Sequence, residues 1–195
     1  MSKKRPTVLF LTPGASSVGG NIFLLNFLRW FKRNSDIPFV TVYGHGGDLA
    51  DAFAEQGPAY QYDYDSIYLS PWKVVLRYIQ KRLMWRERFL RRKIAAHDVR
   101  LIYSNSVSNH RMLESLGDLN VPVISHCHEL ESVIHRLGIE GFQLTRDRTD
   151  HFVAAADAVK ANLIENHAVS PETIEVIHEF IPVEEYSADE VASFR

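Results

Sequence analysis

The chain has 195 residues, is 46% hydrophobic and 24% charged, and carries a net charge of −2, an ordinary composition for one soluble globular domain with a substantial core. Its single cysteine excludes an internal disulfide, and no run approaches the roughly 20 apolar residues of a membrane span. The basic opening from Met1 to Pro6 lacks the apolar stretch and cleavage site of a signal peptide, so a cytoplasmic, reducing location is expected.

Taken in order, Thr7 to Thr12 reads as a short apolar strand closed by Pro13-Gly14, and Asn21 to Phe31 has helical length. Phe39 to Tyr43 repeats the strand signal ahead of Gly44-His45-Gly46-Gly47. Asp48 to Gln56 is a short helix ended by Gly57-Pro58, and Tyr60 to Tyr62 is a weaker strand. A long basic helix from 72 to 94 precedes a strand at Arg100 to Ser104, a helix at Ser106 to Leu116 and a buried strand at Val121 to Ser125. That strand runs into His126-Cys127-His128-Glu129 and an amphipathic stretch. Phe152 to Ala155, a helix from Ala158 to His167, and Ile174 to Ile177 complete the series. Strands alternating with helices predict an α/β domain, a Rossmann-like three-layer α/β/α sandwich with a mostly parallel sheet of about seven strands. Ser187-Ala188-Asp189-Glu190 has the S-x-x-E pattern of a helix start, so a further segment beyond Arg195 is expected.

In an open α/β sheet the carboxyl ends of the strands line the ligand crevice, and His126-Cys127-His128-Glu129 falls there. Residues two apart on a strand share a face, so His126 and His128 point one way and Cys127 the other. Imidazole and thiolate are zinc ligands, but Cys127 faces away and no C-x-x-C or H-x3-H supports a cluster, so no metal is assigned. Polar contact with a ligand and a satisfied structural histidine both fit these residues. Ser104-Asn105-Ser106, followed by Asn109 and His110, ends the neighbouring strand and faces the same crevice, or caps the helix that follows. Pro13 to Asn21 departs from G-x-G-x-x-G, and Gly20 stands where a Walker lysine belongs, which disfavours a dinucleotide or ATP site. The small residues there still allow an anion or a sugar hydroxyl to approach the helix start, or simply make a tight turn.

Charge is segregated. From Lys73 to Lys93 nine basic residues stand against Glu87 alone. On a helical projection Trp72, Val75, Leu76, Ile79, Leu83, Leu90 and Ile94 form a face for the sheet. Lys73, Arg77, Lys81, Arg88, Arg91 and Arg92 lie opposite, bordered by Val74, Tyr78, Trp85 and Phe89. Basic residues flanked by aromatics suit an anionic membrane surface, each worth about 1 kcal/mol near the headgroups. The acidic remainder of the chain weighs against nucleic acid. A solvated face with a partly buried aromatic edge is the simpler alternative.

Four segments in order resemble the amino-terminal domain of family-4 glycosyltransferases of the two-domain GT-B fold. They are the loop ending Gly19-Gly20; Ile102 to Ser106; Pro122 to Leu130; and Ala155 to Leu163 leading to Ile174 to Ile177. The resemblance implies that this domain holds the acceptor while a second domain holds a nucleotide-sugar donor. It implies His128 as the catalytic histidine facing donor sugar and acceptor, and Gly19 and Gly20 near the donor phosphates. Glu179 takes the donor-side position after the last strand, where the family often has Asn-Gly. Ser104, Asn105, Ser106, His126 and Glu129 are the expected acceptor contacts. The family's E-x7-E donor motif is absent, since no glutamate here has another eight positions later.

The expectation is therefore an acceptor-side domain, with the donor domain on another segment or polypeptide. The sugar would move from a nucleotide-sugar to a lipid-linked or glycan acceptor, with retention and without metal or other cofactor. Retention in this fold lacks an evident protein nucleophile, so His128 would orient and stabilise charge. Peripheral attachment to the inner face of the membrane is expected, with no nucleic-acid partner. A non-catalytic Rossmann-like module that binds a partner or membrane is the alternative. An epimerase or hydrolase would need a dinucleotide fingerprint or a nucleophile elbow that is not found.

Overall fold

A computed structural model describes residues 4–62 and 84–179, with the backbone only at 84–87. Trp72, Lys73, Arg77, Lys81, the side chain of Trp85 and the expected helix start at Ser187 lie outside the described residues.

The strands are β1 (Pro6–Gly14), β2 (Phe39–His45), β3 (Ala59–Gln61), β4 (Asp98–Ser104), β5 (Val123–Cys127), β6 (His151–Ala154) and β7 (Ile174–Val176). They form one parallel sheet in the order β3-β2-β1-β4-β5-β6-β7. The chain moves outward from β1 to β3, then returns to β4 and continues the other way. The direction of winding thus switches between β1 and β4, which is where such sheets open a crevice beyond their carboxyl ends.

The helices are α1 (Gly19–Asn34), α2 (Ala50–Gln56), α3 (Met84–Ala95), α4 (His110–Ser115), α5 (Glu131–Leu137), α6 (Ile139–Arg148) and α7 (Asp157–His167). Because side chains alternate along a strand, β1 feeds two cores. Leu9 and Leu11 pack with Leu90 and Ile94 of α3 and with Met112 and Leu113 of α4. Val8 and Phe10 pack with Leu24, Leu25 and Leu28 of α1 and Phe53 of α2. Further along, Cys127, Phe152, Ala154 and Ile174 pack under Ile134 of α5, Phe142 of α6, and Val159 and Leu163 of α7. Truncating any fully buried leucine here to alanine costs about 2–5 kcal/mol.

Two local readings of the sequence are corrected, and a third is resolved further. The strand expected at Val121 to Ser125 runs from Val123 to Cys127, because Pro122 has no N–H to pair and β6 extends the ladder from Ile124 to Cys127. His126 is therefore inside the strand rather than past its end. The helix expected at Ser106 to Leu116 is a 3-10 turn at Val107–Asn109 followed by α4, with Ser106 as the cap accepting from Ser108 N at 2.9 Å. The stretch after Glu129 is two helices, α5 and α6, broken at Gly138, whose φ of +85° is readily adopted by glycine.

Candidate functional site

The loop opening α1, the end of β4, the end of β5 and the residues after β7 converge at the switch point. Leu11 of β1 pairs with Ser104, and Ser104 with Ser125, so the three central strands end side by side. Asn105 leaves β4 with its N–H donating to Leu11 O at 2.8 Å. Its side chain is buried and bridges two of the expected site residues. Nδ2 donates to Gly20 O at 2.8 Å, and Oδ1 faces His128 Nε2 at 3.0 Å. With the amide oriented by Gly20, Oδ1 is an acceptor, so Nε2 of His128 carries the hydrogen. The other ring nitrogen, Nδ1, is buried, and the Glu179 carboxylate lies against it without hydrogen-bond alignment.

Strand alternation brings His126 and His128 to one face, with ring centroids 4.2 Å apart, and sends Cys127 into the opposite core. Phe23 of α1 covers both rings edge-on, at 5.1 Å from His126 and 5.7 Å from His128. His126 is 1% exposed, and its Nδ1 shares a hydrogen bond of 2.7 Å with the Tyr103 hydroxyl. Burial, reinforced by the neighbouring His128, lowers the His126 pKa to about 3, so the ring is neutral at physiological pH. Burial, with Glu179 and Cys127 adding, raises that of the Tyr103 phenol. The buried Cys127 thiol is likewise raised, by burial and then by Glu129, and is no nucleophile at neutral pH.

Ser106 and Glu129 tie the site's loops together. The Ser106 hydroxyl bonds to the Glu129 carboxylate, which also accepts from His128 N at 3.0 Å. Ser104 is fully buried, donating to Ser106 O at 3.2 Å and meeting Asn109 Nδ2 at 3.0 Å. Ser104, Asn105 and Ser106 are buried where β4 ends and Glu129 is half-buried past β5, and the polar contacts named here are within the protein.

Gly19 and Gly20 open α1, which has no side-chain cap and no acidic residue in its first turn. A Cβ at Gly19 would meet nothing within 4 Å, and one at Gly20 would lie 3.6 Å from the His128 ring in ordinary contact. Space is therefore open above the helix start. The loop is braced from the other side by the segment after β2. Ala15 N donates to His45 O at 2.8 Å, Leu49 N to Ala15 O at 2.7 Å, and Ser17 N to Asp48 Oδ1 at 3.0 Å. The bond to the Ser17 side chain leads the lowering of the Asp48 pKa. Gly47 permits this approach, because a Cβ there would fall 2.3 Å from Ala15 O.

Sequence reasoning passed over Tyr103, Phe23, Asp48 and Gly47 as site-builders. For Tyr103 the signal was its place on β4 next to the histidine strand, and for Gly47 the Gly46-Gly47-Asp48 turn. In the described part of the basic helix, Leu90 and Ile94 are buried, while Arg88, Phe89 and Arg92 are exposed. Arg91 pairs with Asp118 at 2.9 Å, and Lys93 Nζ sits 5.1 Å over the Phe89 ring. Among the described residues no helix is long and apolar enough to cross a membrane.

The sequence pattern of the family described as Glycosyltransferase Family 4 matches residues 19–185. No curated protein matches the sequence. Solved structures match the fold. Anabaena Alr3699/HepE, in complex with UDP and glucose, has a TM-score of 0.68 at 17% identity over 96% of this chain and 49% of its own. UDP-GlcNAc 2-epimerase from Neisseria meningitidis bound to UDP-GlcNAc has 0.57 at 11% over 87% and 45%. Acinetobacter baumannii MurG has 0.51 at 16% over 94% and 47%. The chain spans about half the length of these proteins. The fold is shared by the epimerase and by a UDP-glucosyltransferase from Polygonum tinctorium, at a TM-score of 0.54, so fold alone does not select the chemistry. The sequence match over residues 19–185 supplies the family, and the fold is that of an amino-terminal GT-B domain.

Proposed function

Because this chain belongs to Glycosyltransferase Family 4, we propose that it is the acceptor-side half of a transferase moving a sugar from a nucleotide-sugar to a glycan or lipid-linked acceptor, with retention. The observation that carries this reading is the Gly20–Asn105–His128 bridge, which fixes an imidazole at the switch-point crevice beside an open, uncapped helix start.

In this reading His128 has a restricted role. Nε2–H is committed to Asn105 and Nδ1 is buried beside Glu179, so neither nitrogen is presented to an acceptor hydroxyl as a base. Because Glu179 lies against Nδ1 without hydrogen-bond alignment, that edge of the ring is the one that would turn to the donor, orienting the sugar and stabilising charge as the bond to the nucleotide breaks. Gly19 and Gly20 leave room for the donor's phosphates at the start of α1, where backbone N–H groups and the helix dipole favour an anion. Glu179 stands on the donor side. Asn105 positions His128, while Ser104, Ser106 and Glu129 shape the loops on which the acceptor rests. The donor's nucleotide would be held by a second domain. Arg88, Phe89 and Arg92 on α3 would seat the molecule on an anionic membrane that carries the acceptor.

The test is transfer by the purified chain with and without a family-4 donor domain supplied in trans or by fusion. The chain alone should fold and turn over no nucleotide-sugar, because donor and acceptor meet only between two domains. The pair should transfer sugar. Turnover by the chain alone would refute the half-enzyme reading. Failure of the pair even to bind a nucleotide-sugar would make the chain a non-catalytic module.

A further inference from the structure

We propose that His126, His128 and Glu179 form a binding site for one divalent transition-metal ion of the zinc type. One nitrogen from each histidine and a carboxylate oxygen of Glu179 lie within 4.8 Å of one another. Donors on a tetrahedral zinc ion, with bonds of about 2.0–2.1 Å, stand about 3.3 Å apart, so modest side-chain movement closes the set.

The hydrogen bonds around the rings carry the argument. A metal-bound histidine uses one nitrogen for the ion and is oriented by a hydrogen bond from the other. Here His126 offers Nδ1 to the Tyr103 hydroxyl at 2.7 Å, and His128 offers Nε2 to Asn105 Oδ1 at 3.0 Å. Of the two remaining nitrogens, His126 Nε2 is buried without a hydrogen-bond partner, and His128 Nδ1 is buried against the Glu179 carboxylate without hydrogen-bond alignment. A buried imidazole nitrogen without a partner is costly, and His126 Nε2 together with His128 Nδ1 and the Glu179 carboxylate makes a set of donors suited to a borderline-soft cation. Tyr103 and Asn105 supply the orienting bonds, and Asn105 is itself fixed by Gly20. Phe23 shields the rings from water. The bound ion would fasten the segment after β7 to the end of β5.

The test reads binding alone and so stands apart from sugar transfer. The 195-residue chain, stripped with chelator, is titrated with zinc chloride by calorimetry, and cobalt(II) is followed by absorption. One saturable zinc equivalent is expected, with a cobalt spectrum of a four-coordinate site. His126→Ala and His128→Ala should each weaken zinc at least about tenfold, and Tyr103→Phe, which keeps the ring, should weaken it in the same direction. Glu131→Gln should leave binding unchanged. That variant removes the carboxylate that meets His135 Nε2 at 3.0 Å and His167 Nε2 at 2.7 Å, the histidine cluster on α5 and α7 that a surface-binding explanation would favour. Circular dichroism verifies folding of each variant, and His128→Ala with Tyr103→Phe decides the matter if His126→Ala does not fold. Absence of saturable zinc binding, binding unmoved in His128→Ala and Tyr103→Phe, or loss of binding in Glu131→Gln would overturn the assignment.

Discussion

Asn105 Oδ1 accepts from His128 Nε2 at 3.0 Å while the same amide donates to Gly20 O at 2.8 Å, so one buried side chain sets both the imidazole and the glycine loop. Asn105→Ala removes both bonds and leaves a buried carbonyl and ring nitrogen without their partner. The variant should lose about 1–3 kcal/mol in urea denaturation, and the His128 ring should lose its single tautomer in nitrogen-15 NMR. A ring that keeps the Nε2–H form in the variant would show that Asn105 does not fix it.

The two glycine clusters separate by packing. Gly47→Ala would drive a Cβ to 2.3 Å from Ala15 O, a backbone atom that cannot swing aside. A loss of at least about 1–3 kcal/mol is expected, as for overpacked sites. Gly19→Ala meets nothing within 4 Å, so its stability should stay within about 1 kcal/mol of wild type. If that open space is where donor phosphates sit, the same variant joined to a donor domain should bind nucleotide-sugar more weakly. Thermal melts and donor titrations of both variants check the pair.

Much of this architecture is legible in the sequence because parallel strands are buried on both faces and read as apolar runs, as Val8 to Leu11 does. The period of two also places His126 and His128 on one face with Cys127 opposed. What the sequence conceals depends on register. Tyr103 reaches His126 only because β4 and β5 pair Tyr103 with Ile124, and Asn105 reaches Gly20 only because β1 ends beside β4. Glu179 meets His128 from fifty-one residues away. The bond from Ser106 to Glu129, which turns expected ligand contacts into loop ties, has no local sequence signal. The split of α5 from α6 rests on one positive φ at Gly138.

Stability should depend on pH through His110. Burial, then the nearby Arg111, lowers its pKa below the ordinary 6.5 against a smaller opposing effect of Glu114, and the ring packs 3.2 Å from the Cβ position of Gly141. The unfolded chain takes up the proton near 6.5 and the native chain only below it, so protonation favours the unfolded chain and stability falls as pH drops through that value. Between about pH 7.5 and 5.5 the wild type should lose more stability than His110→Leu, with a ceiling of about 1.4 kcal/mol per pH unit. Equal slopes in urea denaturation would mean that His110 titrates alike in both states.

Co-sedimentation with liposomes tests the exposed face of α3. Anionic vesicles should hold the chain at low salt and release it as salt rises, while neutral vesicles should hold it poorly. Charge reversal at Arg88 and Arg92 should abolish binding. Arg91→Glu should also cost stability, because that guanidinium pairs with Asp118 at 2.9 Å, so the first two positions give the cleaner reading. Equal binding to both vesicle types, or none to either, would leave the face merely solvated and favour a soluble acceptor.

The central claim is that sugar transfer takes place at the crevice where Gly20, Asn105 and His128 meet, and His128→Ala in the chain joined to a family-4 donor domain tests it most directly. The measurement is kcat/KM for transfer, with melting temperature as the control for folding. Removing a contact of about 1.4 kcal/mol made in the transition state predicts a loss of at least about tenfold with the fold intact, whereas His126→Ala should reduce turnover less. Wild-type turnover in a folded His128→Ala variant would contradict the account and return the imidazole to a packing role beneath Phe23.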